Sequence, residues 1–398
     1  MPEGSILAHV GRALAVAGRL DPERFEIVFA ASGDNAFWLK EAGCEPHPVH
    51  TVKKAHTLAR LQRGGSAFDE NTLREYVRDE IRVLEELCPN VVVGDFRASL
   101  SISAAIAHVS YVCVTNAVWS KYVSFPLDPP RSWRPGKFLP KPLLGLARSM
   151  LESRVFAYYA RPFNRVRKEY GLPPQADIRD CMSSDELTLF ADLPEFFPTD
   201  DARRPAHCRY VGPIVWEPDH PLPPWWDDLD RSGKRRIVYV TMGSTGKVER
   251  IRAIAKRLLE RDCQVVCTSA KADGPNLTDL PGVFSSPYLP GSRMCAAADV
   301  VACHAGNGTI YQALSQGTPV VGLAEFHDQD FNMQRVEALG VGLRPTREDD
   351  PADVAETVGR VLSDPGFRKR AERLSARLRE FDGPRAAAEA IAEFAGRH

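Results

Sequence analysis

The sequence predicts two doubly wound α/β domains facing each other across a cleft. Three observations lead there. Short apolar runs at 91–93, 111–115, 237–241 and 300–303 alternate with amphipathic helical stretches, the pattern of buried parallel strands joined by crossover helices. Two of these runs, 237–241 and 300–303, pass directly into glycine-bearing turns that open helices, an arrangement suited to phosphate. Between the halves, residues 216–236 are rich in proline, tryptophan and aspartate, as a linker is. The division is 1–215 for a first domain, 216–236 for the linker, 237–382 for a second domain and 383–398 for a closing helix.

The totals agree with that plan and exclude some classes. A chain of 398 residues suits two or three domains. A net charge of −1 gives no overall electrostatic case for nucleic acid. Nine cysteines with no CxxC spacing read as reduced, buried thiols of a cytoplasmic protein. No apolar run reaches the ~18 residues of a membrane span. No targeting segment, low-complexity tract or internal repeat is evident.

In the first half, residues 4–20 form a helix with Leu7, Val10, Leu14 and Ala17 on one face. Ser5 is placed to cap it, and His9 falls in its first turns. Only Met-Pro-Glu precedes this helix, so a first strand is expected to be missing. A strand at 25–30, a short helix at 34–43, an extended piece at 46–51 and a polar loop at 55–68 follow. Residues 71–88 are a clear amphipathic helix stopped by Pro89. Asp95 stands at the C-terminal end of the 91–93 strand, where ligands gather in open parallel sheets; its bland alternative is to cap a helix at 97–108. After the 111–115 strand the alternation fails. Residues 116–142 carry Trp119, Tyr122, Phe125, Trp133 and Phe138 among six prolines. That segment lines an acceptor pocket or is a packed loop. A long helix, or two broken at Pro162, spans 143–170. Its arginines form a solvated face or touch an anionic membrane. Strands at 186–190 and 208–215 close the half.

The second half opens with Ile237–Thr241 and the turn Met242-Gly243-Ser244-Thr245-Gly246. A strand at 264–268 and the segment VFSSPYLP at 283–290 follow. From 299 the chain reads DVVACHAGNGTIYQALSQGTPVVGLAEFHDQDFNMQRVEALG. This is strand, glycine loop, helix, strand. Helix N-termini carry unpaired N–H groups and partial positive charge, so the loop at 304–308 suits a diphosphate, with His304 as an added donor. Asp328 and Gln329 offer two acceptors and an amide to a polyhydroxylated ligand. Helices at 353–362, 367–381 and 385–394 complete the chain, with Pro384 at the start of the last.

The 299–340 stretch resembles the donor-binding motif of GT-B glycosyltransferases of the small-molecule-modifying, UDP-glycosyltransferase-like (family 1) type. It supplies in order His304, Gly308-Thr309, Gly317-Thr318-Pro319-Val320-Val321, Asp328-Gln329, Asn332 and Arg335-Val336. Ala305 departs from the glycine usual in the family. Ala8-His9 resembles the family's Gly-His, and Val211-Gly212-Pro213 the Val-Gly-Pro that closes its first half. The resemblance implies an inverting transfer of a sugar from a UDP- or dTDP-linked donor to a hydroxyl of a small, hydrophobic acceptor. It implies His9 as general base and Asp95 as its partner. It places Ser244, His304, Gly306, Asn307, Gly308 and Thr309 at the donor diphosphate, Tyr288 and Leu289 at the base, and Asp328 and Gln329 at the sugar. No metal or other cofactor is expected, because the helix dipole takes the cation's part. The expected partners are the nucleotide sugar and the acceptor, with no nucleic acid and at most a peripheral membrane contact. The last helix is expected to return to the first domain. Two rivals are a nucleotide-sugar 2-epimerase on the same scaffold and a catalytically silent partner subunit.

Overall fold

A computed structural model describes residues 1–53, 56, 60, 68–125, 141–243, 248–268, 277 and 279–397; at 141–153 and 248 it describes the backbone alone. Ser244, most of the expected 55–68 loop, and Trp133 and Phe138 lie outside the described residues. The chain packs as two compact units. One holds Met1–Phe125, residues 141–216 and the chain again from Asp382; the other is Glu217–Phe381.

The first unit is built on four parallel strands in chain order: β1 (Val91–Asp95), β2 (Ser110–Thr115), β3 (Leu187–Phe190) and β4 (Cys208–Tyr210). Around them lie α1 (Leu7–Ala17), α2 (Phe37–Glu41), α3 (Glu70–Leu87), α4 (Leu100–Ala107), α5 (Lys141–Glu169), α6 (Ile178–Cys181) and, from the chain's end, α13 (Gly383–Ala395). Strand alternation sorts the core into two faces. Val91, Val93, Val112, Val114, Leu187 and Leu189 pack with Val16 of α1 and with Ala387, Ala388, Ile391 and Phe394 of α13. Val92, Tyr111 and Cys113 pack with Leu84 of α3 and with Leu100 and Ala104 of α4. The last helix thus joins the first unit.

Beside β1, where no strand is expected, Met1–Glu3 runs parallel to it. Glu3 N donates to Asp95 O at 3.0 Å, and Asp95 N to Met1 O at 3.4 Å. Gly4 then presses on the next segment, where an added Cβ would stand 1.9 Å from Ser32 O. The expected strand at 25–30 is a correction. Only Ala30 bridges, to His47, and Ile27 and Val28 are 39% and 44% exposed. Two backbone bonds join this segment to His47: Ala31 N donates to His47 O at 3.0 Å and His47 N to Phe29 O at 2.8 Å. Ser5 is not the cap of α1; Ile6 occupies that position and no side chain caps the helix. The 71–88 helix forms as spaced, with Asp69 accepting from Thr72 N and Cys88 closing it at φ 45°. Helix α5 is continuous through Pro162.

The second unit is a six-stranded parallel sheet in the order β10-β9-β8-β5-β6-β7. The strands are β5 (Ile237–Thr241), β6 (Gln264–Thr268), β7 (Val283–Ser286), β8 (Val300–Cys303), β9 (Val320–Gly322) and β10 (Gly342–Leu343). Its helices are α7 (Val248–Leu259), α8 (Gly291–Ala297), α9 (Asn307–Ser315), α10 (His327–Ala338), α11 (Pro351–Ser363) and α12 (Pro365–Leu378). The core gathers Val238, Val240, Val265, Val300 and Ala302 with Ile251, Ile254 and Leu258 of α7 and Val354 and Val358 of α11. The chain steps outward from β5 to β7, then returns to β8 on the other side of β5. Strands β5 and β8 therefore flank a topological switch point, where open α/β sheets bind ligands.

Candidate active site

In the first unit the register of the sheet carries two polar side chains to the face of α1. Asp95 ends β1 in line with Val114 of β2, and Asn116 follows two residues later on the same alternation. Helix α1 meets them with His9 and Arg12, one turn apart and both buried. His9 Nδ1 is 2.7 Å from Asp95 Oδ1, so a proton on Nδ1 leaves the Nε2 lone pair for a substrate. Asp95 Oδ2 is buried with no hydrogen-bond partner among the described residues. Asp95 does not cap a helix. The helix after it starts at Leu100, with Ser99 in the capping position.

The ring of His9 lies flat on Phe96, centroids 4.8 Å apart at 5°. Phe96 takes φ 52° to place its ring there. Trp119 meets Phe96 edge-on at 5.7 Å, so one acceptor candidate packs on the same ring as the histidine. Tyr122 and Phe125 are half-buried. Tyr122 O accepts from Asp200 N at 2.8 Å and its ring lies beside Lys121, a loop-packing role. Sequence reasoning did not single out Arg12, Asn116 or Phe96. The available signals were the i,i+3 spacing from His9 and the strand-end positions of the other two.

In the second unit the turns after β5 and β8 meet at His304. Gly243 (φ 58°) and Gly306 lie against the imidazole, and an added Cβ would stand 2.7 Å from Cε1 or 2.4 Å from Nε2. Between them Ala305 is fully buried at φ 58°. A left-handed non-glycine residue costs about 1–2 kcal/mol, so the loop keeps its conformation despite the methyl group. Asn332 of α10 holds it, donating from Nδ2 to Ala305 O at 2.9 Å. Gly306, which has no side chain to cap with, then begins α9. The first turn, Asn307-Gly308-Thr309, has open space beside Gly308. The result is an N-terminus whose N–H groups can take an anion.

The sugar candidates divide. Asp328 is half-buried in the first turn of α10. Gln329 is buried, and its Oε1 accepts from Glu325 N at 2.8 Å and Phe326 N at 3.2 Å. Its carbonyl is thus committed to capping its own helix. Leu289 is buried, whereas Tyr288 is 44% exposed with its ring stacked on His220 at 5.4 Å. Core packing is therefore not the role of Tyr288. Beside it a cavity of about 380 Å³ is lined by residues of the 217–222 stretch with Pro290 and Arg293. Glu217 ties that stretch down by accepting from Ser292 N at 2.8 Å and Gln312 Nε2 at 3.3 Å. Among the described residues no group of three His, Cys, Asp or Glu could hold a metal ion. No described helix is long and apolar enough to cross a membrane.

Comparison with known proteins places these features. Residues 252–393 match the family described as erythromycin biosynthesis protein CIII-like, C-terminal domain. A PGL/p-HBAD biosynthesis glycosyltransferase of Mycobacterium tuberculosis is 36% identical over 378 residues, covering 94% of this chain and 86% of the relative. A PGL/p-HBAD biosynthesis rhamnosyltransferase of Mycobacterium bovis is 37% identical over 380 residues, covering 94% and 82%. An inactive PGL/p-HBAD biosynthesis glycosyltransferase of Mycobacterium bovis is 36% identical over 247 residues, 61% of this chain. Among solved structures, the glycosyltransferase of kitacinnamycin superposes with a TM-score of 0.71 at 20% identity over 99% of this chain and 98% of its own. Spinosyn rhamnosyltransferase SpnG does so with 0.69 at 17% over 98% of each. The chain belongs to the GT-B-fold, UDP-glycosyltransferase-like glycosyltransferases that use nucleotide sugars, in the group that contains these mycobacterial enzymes.

Proposed function

We propose that this glycosyltransferase moves a hexose from a dTDP- or UDP-linked donor, with inversion, to a hydroxyl of a small hydrophobic acceptor. The observation that carries the proposal is the buried His9–Asp95 pair at 2.7 Å. His9 Nε2 takes the acceptor hydroxyl proton as that oxygen attacks the anomeric carbon. The bond from that carbon to the diphosphate oxygen breaks, and its electron pair leaves with the diphosphate. Asp95 stabilises the imidazolium that forms. The N–H groups at 306–309 and His304 meet the charge growing on the leaving group. That donor set lets the reaction run without a divalent cation.

Several features support the finer points. Relatives named for PGL/p-HBAD biosynthesis, one of them a rhamnosyltransferase, favour an aromatic or lipid-like acceptor and a deoxyhexose. The aromatic wall of Phe96 and Trp119 beside His9 fits such an acceptor. Val155 and Tyr158 of α5 are 45% and 49% exposed, with Arg161 over the Tyr158 ring, which suits a peripheral lipid contact. All nine cysteines are free, which suits the cytoplasm. The intact dyad favours an active enzyme over a silent partner. The test is single-turnover transfer with a panel of UDP- and dTDP-sugars, with and without EDTA, on wild type and His9→Ala. Transfer that EDTA leaves unchanged and His9→Ala abolishes, with donor affinity intact, is expected. Retained transfer in His9→Ala would remove the assigned base, EDTA sensitivity would remove metal independence, and conversion of the free donor to an epimer would replace the transferase reading.

A further inference from the structure

A buried arginine stands behind the histidine. Arg12 is 6% exposed, and its Nη2 lies 2.6 Å from Asp95 Oδ1 and 2.8 Å from His9 Nδ1. Nδ1 is itself 2.7 Å from the same Oδ1, so the three atoms close a nearly equilateral triangle. The two N–H bonds of a guanidinium nitrogen diverge by about 120°. Nη2 therefore aims a hydrogen at one of the other two corners, not at both. On its far side Nη1 donates to Asn116 Oδ1 at 3.1 Å. Asn116 Nδ2 donates to Asp192 Oδ1 at 3.1 Å, and Ala117 N donates to Asp192 Oδ2 at 2.7 Å. The residues that open the Trp119 segment thus brace the guanidinium.

Two arrangements satisfy the triangle. In the first, Nη2 and Nδ1 both donate to Oδ1, and Nε2 carries the lone pair. In the second, Nη2 donates to Nδ1 and the ring proton sits on Nε2, where it blocks proton uptake. The second arrangement sets the Oδ1 lone pairs against the unprotonated Nδ1 at 2.7 Å and leaves the Asp95 carboxylate without a hydrogen bond, since Oδ2 has no partner among the described residues. A buried carboxylate left so is costly. We propose that Arg12, braced by Asn116, is a positioning residue that selects the Nδ1–H tautomer of His9 by taking Asp95 Oδ1 as its acceptor. This rests on His9 being the base.

The test is ¹⁵N NMR of histidine-labelled protein, with the His9 signals assigned by their loss in His9→Ala, alongside transfer kinetics. Wild type should show a protonated Nδ1 and a bare Nε2. In Arg12→Met the two tautomers should mix and kcat should fall about 10- to 100-fold, less than the ~10²–10⁴ of a whole general base. Donor affinity should hold, and added guanidinium ion should restore part of the rate. An Arg12→Met protein that keeps the Nδ1–H tautomer and a kcat within about twofold of wild type overturns the proposal. If Arg12→Met does not fold, Asn116→Ala keeps the guanidinium and removes only its brace. A measurable tautomer mixture and a smaller fall in kcat support the proposal, and no change in either overturns it. Retained transfer in His9→Ala would instead overturn the reading beneath it.

Discussion

The two units place candidate chemistry at the same topological position and by opposite means. Each uses the C-terminal ends of parallel strands beside a helix. In the first unit side chains do the work. His9, Asp95, Arg12 and Asn116 are all nine-tenths or more buried and bonded to one another. In the second unit the backbone does it, through two glycines against His304, a left-handed Ala305 and the glycine-led start of α9. The difference follows from the ligand each chemistry needs. Moving a proton requires one titratable atom held in one tautomer, which a chain of buried hydrogen bonds supplies. Holding a diphosphate requires several N–H groups and room for oxygens, which small residues at a helix start supply.

The sharpest way to break this comparison is in the first unit. His9→Ala should lower transfer by about 10²–10⁴-fold while isothermal titration shows the donor binding as before. Asp95→Asn should cost less than His9→Ala, because the base remains though its tautomer is no longer fixed; the reverse order in the same assay would undo the pairing. In the second unit, Gly306→Ala drives a methyl group to 2.4 Å from His304 Nε2. It should weaken donor binding about tenfold, on the order of 1.4 kcal/mol, and leave the acceptor KM alone. A change in acceptor KM instead would show that the loop does not serve the donor alone. The smallest effect is expected from Ala305→Gly. Relief of left-handed strain, about 1–2 kcal/mol, is offset by the added freedom of glycine in the unfolded chain, about 0.5–1 kcal/mol. A net stabilisation of about 0.5–1 kcal/mol should appear in denaturant melts, and a loss would mean that the methyl group contributes packing.

Much of this was legible in the sequence, for reasons that differ by region. The second unit is written locally. Its strands are continuous apolar runs, its helices open on Asp-Pro pairs at Asp350-Pro351 and Asp364-Pro365, and its anion loop is contiguous in the chain. The first unit is written less plainly. Residues 25–30 have the composition of a strand, yet Ile27 and Val28 lie exposed and only Ala30 bridges, to His47, because β-propensity takes effect only where a pairing partner and a face to bury are present. Gln329 has the right side chain for a sugar, but the same amide caps its own helix; a capping interaction competes with ligand at no extra entropy cost. Tyr288 could be core or surface on composition, and only the stack on His220 and its exposure decide.

By itself the sequence determined the alternation of strands and helices, the glycine loop before α9, and the histidine and aspartate that later meet. The alternation and the loop depend on spacing along one element or on residues adjacent in the chain; the pairing of histidine with aspartate rested on the family resemblance. Only the tertiary structure decided that Asp95 and Asn116 share the face that α1 covers, that Arg12 joins them, and that Phe96 turns its ring under His9. The physical reason is register. A parallel pairing of β1 with β2 in this alignment puts those two side chains on the face that α1 covers, and a slip of one residue between the strands would have set them on opposite faces.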